Sequence, residues 1–506
     1  MKTAKFIVLL FFISQSLLAQ SLPKRFMLNG TDEESADSPA GNDIGDIIAL
    51  GDTVVISTGA GVSRSSDRGE SWTNFLNLSP SDNRAISALA YHNGVIWAAF
   101  QTEVEQLGEM QPAGAGLMYS TDRGASWTSI PQPVDSKTDT LINYGKNILE
   151  IVPIHTKVNN ISYDIAVTDN TVWIASWAGG LRKSSDMGKT WQRVVLPTDS
   201  LDRISPEDTL NFTVKSQDLN ELVFSIAAVD SLTLYAGSAG GINKTTDGGL
   251  SWRKFNHINQ TKPISGNWVT SLNYNQLTKT LYAASWRAEG NSEFYALSFT
   301  SDGGESWTTA LDGEKVLAIG FMGEDVIAAT ENGAYRSGNM GKTWILPGRI
   351  TDSRSKLSLK TNVFYSAASE GNDIWLGTGS GLVRLKENGS MWSGDWRIYL
   401  ASQALRTESE TYAFPNPFSP DVETVGIKYS TGAKASGVTI RIFDFGMNLV
   451  RTVIRNAERG STHEGTAIDF WDGKDERGSI VPNGVYFYRI DIDGGQPLFG
   501  KIMVVM

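Results

Sequence analysis

Between residues 42 and 400 the chain repeats one hydropathic pattern: a short apolar or alternating run, a tight polar turn, and a second apolar run. Residues 46–50 turn at Gly51-Asp52 into 54–57, and residues 86–91 turn at Asn93-Gly94 into 95–100. The pairing returns in 163–167 with 172–177, 224–229 with 234–238, 269–274 with 281–286, 316–321 with 326–330, and 363–368 with 374–377. Short runs rich in Val, Ile, Ala and Trp, separated by turn dipeptides, predict antiparallel hairpins. Their return at intervals of tens of residues predicts a repeat architecture, in which each unit buries its apolar faces against its neighbours.

A second signature follows all but the last of these pairs, S/T-x-D-x-G-x-S/T-W. It places Asp67 before Trp72, Asp122 before Trp127, Asp186 before Trp191, Asp247 before Trp252 and Asp302 before Trp307. A variant has Asn339 before Trp344. The aspartate can accept backbone N–H groups across its own turn, and the glycine supplies the positive φ that the turn needs. The tryptophan is expected to head the next strand, where burying roughly 150–250 Å² of ring contributes ~4–6 kcal/mol gross. The motif resembles the Asp-box (BNR, sortilin-like) of sialidases, sortilin-type receptors, xyloglucanases and photosystem assembly-factor propellers. That resemblance implies β-propeller blades in which the boxes are structural and lie away from the active face. The last unit has Lys386-Glu387-Asn388-Gly389 in place of a box, with Trp392 and Trp396 nearby. The expectation is an all-β chain whose residues 42–400 form a seven-bladed propeller of four-stranded units.

If each blade runs through four strands in order, the box turn and the first turn share one face, and the other two connections share the opposite face. Connections on that opposite face vary widely in length: 101–116, 131–160, 197–222 and 287–295. Long loops on a rigid scaffold are where binding sits, so the site is expected there. Trp177 and Trp286 close the second strand of two repeats and could stack on sugar rings; packing between blades is the competing reading. Arg287, Glu103, Glu105, Tyr144, His155 and Arg203 are the candidate polar contacts, each otherwise a solvated loop residue.

Past residue 411 the texture changes. Pro415, Pro417 and Pro420 exclude a helix, and short alternating runs follow at 426–430, 438–443, 468–471, 485–492 and 501–505. Asp472-Gly473 and Asn483-Gly484 supply turns. These runs predict a small sandwich over 412–506 after a linker at 401–411. Pro415-Asn416-Pro417-Phe418, Ile442-Phe443-Asp444, Trp471-Asp472-Gly473, Asn483-Gly484-Val485-Tyr486 and the closing Lys501-Ile502-Met503-Val504-Val505 resemble the Ig-like domain of flagellar hook-capping proteins. They are also similar to the C-terminal sorting domain of type IX secretion cargo. The resemblance implies an export or anchoring module that engages secretion machinery; a passive spacer is the plainer reading.

A formal charge of −11 argues against nucleic acid or an anionic membrane as partner. The absence of cysteine excludes disulfides, thiolate metal sites, a lipobox and the Cys-rich module of sortilin-type receptors. Lys2, Lys5, the apolar run 6–13 and Ala19 read as a secretory signal over 1–20, followed by a loose polar linker at 21–41. No later run is long enough for a spanning helix. A secreted or cell-surface monomer is expected.

Catalytic sets are missing. The arginine cluster and Tyr/Glu pair of Asp-box sialidases are not found, nor are G-x-S-x-G or H-E-x-x-H. Gly188-Lys189-Thr190 mimics the end of a P-loop but belongs to a box turn; the Asp469, Asp472 and Asp475 run could ligate Ca²⁺, yet Asp472 and Asp475 read better as turn residues. Neither a cofactor nor a metal is expected. The favoured reading is a non-enzymatic propeller that binds an extracellular protein or polysaccharide. A glycoside hydrolase or lyase, and an envelope-complex assembly factor, remain as alternatives.

Overall fold

A computed structural model describes residues 34–506 except 37, 77–83, 107, 289–291, 356, 403, 404, 406, 422, 433 and 461–465. The signal expected at 1–20 and most of the stretch 21–41 lie outside the described residues. The chain is all-β; among the described residues the one helical element is the 3-10 turn Leu219–Glu221.

Every predicted hairpin forms. The first sheet joins Ile44–Leu50, Thr53–Thr58, Gly61–Ser65 and Trp72–Leu76, with Glu34–Ala36 added antiparallel outside Trp72–Leu76. Ala85–His92, Val95–Gln106, Glu109–Ser120 and Thr128–Ile130 make the second, and Ser162–Thr168, Thr171–Ser176, Gly180–Ser184 and Gln192–Arg193 the third. The fourth has Val223–Ala228, Leu234–Ser238, Gly241–Thr245 and Trp252–Phe255 with Arg203–Ile204 outside. Trp268–Asn275 opens the next, with Thr280–Trp286, Ala296–Thr300 and Thr308–Ala310; Val316–Met322, Asp325–Thr330 and Gly333–Ser337 follow. The last of the series is Phe364–Glu370, Asp373–Thr378, Gly381–Glu387 and Gly394–Tyr399. The first strand of each sheet packs on the first strand of the next, and Phe364–Glu370 packs back on Ile44–Leu50. The sheets thus ring a central channel as a β-propeller.

The ring closes through side chains and through the start of the described chain. Ile44, Val54, Ile56 and Trp72 share one apolar cluster with Trp375, Leu382 and Tyr399 of the last sheet. Ser38 Oγ lies 2.9 Å from Ser402 Oγ, Ala401 N donates to Asn42 Oδ1 at 2.6 Å, and Gly381 N donates to Asn42 O at 2.8 Å. The end of the segment expected to be a loose linker is therefore a clasp, with Ser38 buried.

Each box folds as its residues dictate. Asp122 Oδ1 accepts Ser120 Oγ at 2.7 Å and Ser126 N at 2.8 Å, while Oδ2 accepts Ser126 Oγ at 2.6 Å. The Ser126 hydroxyl and amide and the Ser120 hydroxyl hold this carboxyl down at about 2. In the variant, Asn339 Oδ1 takes the same two donors and its Nδ2 donates to Thr343 Oγ1 at 2.8 Å, so the amide preserves the turn by reversing one bond. The tryptophans divide. Trp72, Trp252 and Trp307 are buried to 4% exposure or less with unpaired indole N–H groups. Trp127, Trp191 and Trp344 are half-buried and donate to the carbonyls of Gly124, Gly188 and Gly341 at 3.0–3.1 Å. Trp344 heads no strand: only an isolated bridge between Arg336 and Ile345 stands where a fourth strand was expected.

A cation one residue before the box couples neighbouring sheets. Arg64 Nη1 donates to Arg123 O at 2.6 Å, Lys183 Nζ to Gly248 O at 3.1 Å and Lys244 Nζ to Gly303 O at 2.9 Å. Across the closing seam, Arg384 Nη1 donates to Arg68 O at 2.8 Å. Each acceptor directly precedes the glycine of the neighbouring box, and each cation lies over a ring: Phe75, Trp173, Tyr235 or Trp375.

The long connections at 131–160 and 197–222 depart from expectation. They form a sheet of Leu141–Tyr144, Asn147–Ile151 and Thr213–Val214, and their apolar side chains fill the outer seam of the third and fourth sheets beside Trp173 and Trp252. Buried ion pairs pin them: Asp135 to Arg182 at 2.8 Å and to Arg193 at 3.5 Å, and Glu221 to Arg193 at 3.3 Å. Residues 101–116, expected as a loop, continue the hairpin instead, with Glu103 opposite Pro112 and Glu105 opposite Met110.

Residues 411–504 form two further sheets over one core. Thr411–Phe414, Val425–Ser430 and Thr466–Trp471 face Leu449–Arg459, Ser436–Phe443, Gly484–Ile492 and Leu498–Val504. Thr411–Phe414, at the boundary between the expected linker and the sandwich, was not among the expected strands. Leu449–Arg459 was missed because this charged edge strand is half-exposed and pairs through several register shifts. Asp469 is buried and takes Arg459 at 2.6 Å and the Tyr429 hydroxyl at 2.7 Å, while Asp472 and Asp475 cap turns through Lys474 N and Ser479 N.

Candidate functional site

Each innermost strand carries a register shift near its start, which leaves one residue unpaired in six of them and two, Gly45 and Asp46, in the first. A bulge bends its strand and re-aims the extra side chain. Going round the ring, these positions hold Gly45, Ser87, Tyr163, Phe224, Thr270, Leu317 and Tyr365. Tyr163 and Phe224 are thus adjacent aromatics, and the small Gly45 and Ser87 stand between Tyr163 and Tyr365.

The aromatic side is continuous. Trp177 packs on Phe224 with centroids 5.1 Å apart and meets Trp268 edge-on at 5.8 Å. Phe224 lies 5.8 Å from Trp268 and 6.2 Å from Tyr163. Tyr163 is 39% exposed and the other three are half-buried. The indole N–H groups of Trp177 and Trp268 have no partner among the described residues. The four rings come from three successive sheets on the face where the innermost strands begin, the face with the variable connections.

Directly below Tyr163, Asp164 accepts Ile226 N at 2.7 Å and Ile165 N at 2.8 Å. Asp46, at the matching position of the first sheet, accepts Leu89 N at 3.0 Å. Each covers an inner-edge amide of a neighbouring innermost strand. Burial in the channel wall pushes Asp46 up to about 6. Burial, with the negative charge of Asp46 added, pushes Asp164 up to about 7. Neither has a cation as hydrogen-bond or ion-pair partner among the described residues.

The candidates from sequence separate into distinct places. Trp177 belongs to the aromatic mouth. Trp286 lies opposite Trp268 in register, but its ring is tied to the next sheet: Nε1 donates to Val316 O at 3.0 Å, Lys315 Nζ sits 5.1 Å above it, and Tyr295 meets it edge-on at 6.1 Å. Arg287 beside it is exposed. Glu103 and Glu105 project from the extended hairpin, on whose flank 157–159 dock, and His155 is exposed two residues earlier. Tyr144 and Arg203, expected on the same face, sit instead at the outer edge of the fourth sheet beside its box turn. Tyr144 is buried with its hydroxyl on Leu250 O at 2.7 Å, and Arg203 pairs in register with Arg253. The long connections carry them there because their own apolar residues fill the seam. Tyr163, Phe224 and Trp268, which the structure groups with Trp177, were not among the sequence candidates; an aromatic at the head of the innermost strand in three consecutive repeats was the signal available.

Among the described residues no group of three or more His, Cys, Asp or Glu is arranged to hold a metal, and no helix is long and apolar enough to cross a membrane.

No family model matches the chain. A probable oligoxyloglucan-reducing end-specific xyloglucanase of Neosartorya fischeri is 24% identical over 278 residues, 50% of this chain and 30% of the relative. The oligoxyloglucan-reducing end-specific xyloglucanase of Emericella nidulans is 22% identical over 303 residues, 53% of this chain and 32% of the relative. The chain spans about a third of the length of these curated relatives. Of solved structures, an ancestral GH74 enzyme superposes with TM-score 0.50 at 15% identity over 92% of this chain and 62% of that one. PorZ, a surface component of the type-IX secretion system of Porphyromonas gingivalis, gives TM-score 0.40 at 15% identity over 92% and 66%. At these identities the likeness to solved structures is one of fold.

Proposed function

We propose that the chain is a secreted or cell-surface, seven-bladed Asp-box propeller that binds a glycan at the aromatic side of its channel mouth and carries a C-terminal Ig-like domain for export or attachment. The contiguous group Tyr163, Trp177, Phe224 and Trp268 carries this reading. Rings in mutual contact present one broad apolar surface, which suits the flat C–H face of a pyranose. The small residues Gly45 and Ser87 on the two sheets that precede Tyr163 leave room beside it. The names of the curated relatives point the same way, toward β-glucan-type chains. A protein partner is the other occupant of such a face.

The test uses the full chain against a panel of xyloglucan, cellulose, chitin and mannan, following both depletion of protein and release of oligosaccharides. Binding weakened severalfold by Tyr163→Ala and Trp177→Ala, with unchanged melting for Tyr163→Ala, supports the mouth. Binding that both variants retain removes it.

A hydrolytic reading draws on Asp164, next to Tyr163, and Asp46 on the first sheet, two carboxyls held above their ordinary range, as a general acid requires. New reducing ends that vanish in Asp164→Asn would favour it. For the last domain, the support is an outer surface with Phe445, Met447, Phe499 and Met503 exposed, apolar side chains that a folded monomer has no use for. Deleting 412–506 should leave the propeller folded but no longer exported to the surface.

A further inference from the structure

A second site stands apart from the channel. On the outer flank of the fourth sheet lies an open pocket of about 480 Å³, lined by Arg203, Ser205, Asp208, Lys244, Thr246 and Arg253 among others. Its floor is a cross-strand row. Arg203 is directly opposite Arg253, and Arg253 directly opposite Lys244, so three cations from adjacent strands stand on one face. Like charges in register repel and are disfavoured in sheets.

The surroundings compensate only part of this charge. Arg253 is paired with Glu305 through both guanidinium nitrogens and lies 4.8 Å over Phe255. Lys244 Nζ has the Gly303 carbonyl at 2.9 Å and the Tyr235 ring at 5.5 Å. The other nearby carboxylates are committed elsewhere. Asp247 and Asp302 are saturated by their own box turns, and Asp208 accepts Ser205 N at 2.7 Å. Arg203 is exposed and has no hydrogen bond, ion pair or ring contact among the described residues. Its fork, all donors, lines the pocket with Asp208 as the one carboxylate beside it.

We propose that this pocket is an oxyanion site, in which a sulfate, phosphate or carboxylate group, free or carried on an acidic glycan, bridges Arg203 to the Arg253–Lys244 pair. A guanidinium fork matches such groups in a bidentate manner. The chain's charge of −11 gives an anion no long-range attraction, so recognition is local and the occupant a compact group held at short range.

The full chain is titrated with inorganic sulfate, a sulfated dextran oligosaccharide, a galacturonate oligosaccharide and neutral dextran, by calorimetry at low salt. The expected result is saturable 1:1 binding of an anionic probe and none of neutral dextran. Arg203→Gln should weaken it about tenfold or more, the scale of one lost charge-assisted bond. Glu305→Gln, which releases Arg253, should tighten it. Arg203, Arg253 and Glu305 are all exposed, so these variants fold. Inorganic sulfate as tight as the oligosaccharides identifies a free anion as occupant; a tighter oligosaccharide identifies a glycan-borne one. Unchanged affinity in Arg203→Gln, equal binding of neutral dextran, or no saturable binding of any anionic probe overturns the site.

Discussion

Arg384 sits on the seam where the last sheet meets the first, and replacing it with Met isolates what closes the ring. Its Nε donates to Asp373 Oδ1 at 2.9 Å, Nη1 donates to Arg68 O at 2.8 Å, and the guanidinium lies 5.4 Å over Trp375. Arg384 and Asp373 are 7% and 3% exposed. Methionine keeps the stem's apolar contacts and removes the charge, leaving Asp373 with only Arg68 Nη1 at 3.6 Å. Breaking a buried pair costs ~3–5 kcal/mol, because the orphaned carboxylate stays desolvated. At roughly 2 °C per kcal/mol in a domain this large, Tm should fall by about 6–10 °C. The interior seam supplies the comparison. Lys183 makes the same cross-sheet bond to Gly248 without a buried carboxylate beneath it, so Lys183→Met should cost only about 1 kcal/mol. Arg384→Met/Asp373→Asn should recover more than half of the loss, since no charge is then stranded. Thermal unfolding followed by tryptophan fluorescence reads all three variants. A drop below ~2 °C for Arg384→Met, or no recovery in the double variant, refutes the buried Arg384–Asp373 pair of the last sheet as the support from which Arg384 reaches across the seam.

Two sets of carboxyls should shape stability against pH in opposite directions. Asp122 and Asp186 are held at about 2 by their box hydroxyls and amides, below the unfolded value of ~3.9, so their contribution is whole above pH ~4 and is lost as pH falls toward 2. Asp46 and Asp164, raised to about 6 and about 7, bind protons more tightly in the fold, so stability should decline as pH rises from ~4 to 7. A Tm maximum near pH 4–5 is expected, with the upper limb flattened in Asp46→Asn/Asp164→Asn; a Tm independent of pH from 5 to 8 would count against the channel carboxyls. Trp252→Ala should cost ~3–5 kcal/mol and Trp127→Ala clearly less, read as urea midpoints, because the first ring is fully buried and the second only half. Equal losses would show that exposure does not rank the box tryptophans. Asn339→Asp should shift stability by less than ~1 kcal/mol, since Thr343 Oγ1 can turn from acceptor to donor as Thr190 Oγ1 does in the third box.

The hairpins were legible because Gly51-Asp52 or Asn93-Gly94 between β-branched runs allows little else, and the box turns because Asp and Gly act within eight residues of each other. What pattern could not reach was contact between distant parts. Nothing local in 131–160 says that Asp135 will be buried between Arg182 and Arg193, so the insertions looked like open loops and Tyr144 and Arg203 like neighbours of Trp177. Residues 102–106 alternate weakly and were read as loop until paired with Glu109–Pro112. Trp177 stood out as a tryptophan ending a strand, whereas Tyr163, Phe224 and Trp268, which the structure packs around it, each look like an ordinary core aromatic, and the bulges at Tyr163 and Phe224 leave no mark in sequence.

The clasp between Ser38 and Ser402 joins positions 364 residues apart. Until both ends are present, the first and last sheets each leave an apolar face without its neighbour, Ile44, Val54 and Ile56 on one side and Trp375, Leu382 and Tyr399 on the other. A chain emerging from the ribosome holds these faces open for nearly its whole length, and contacts so distant form late. Closing the seam is therefore the step of folding that waits for the last sheet.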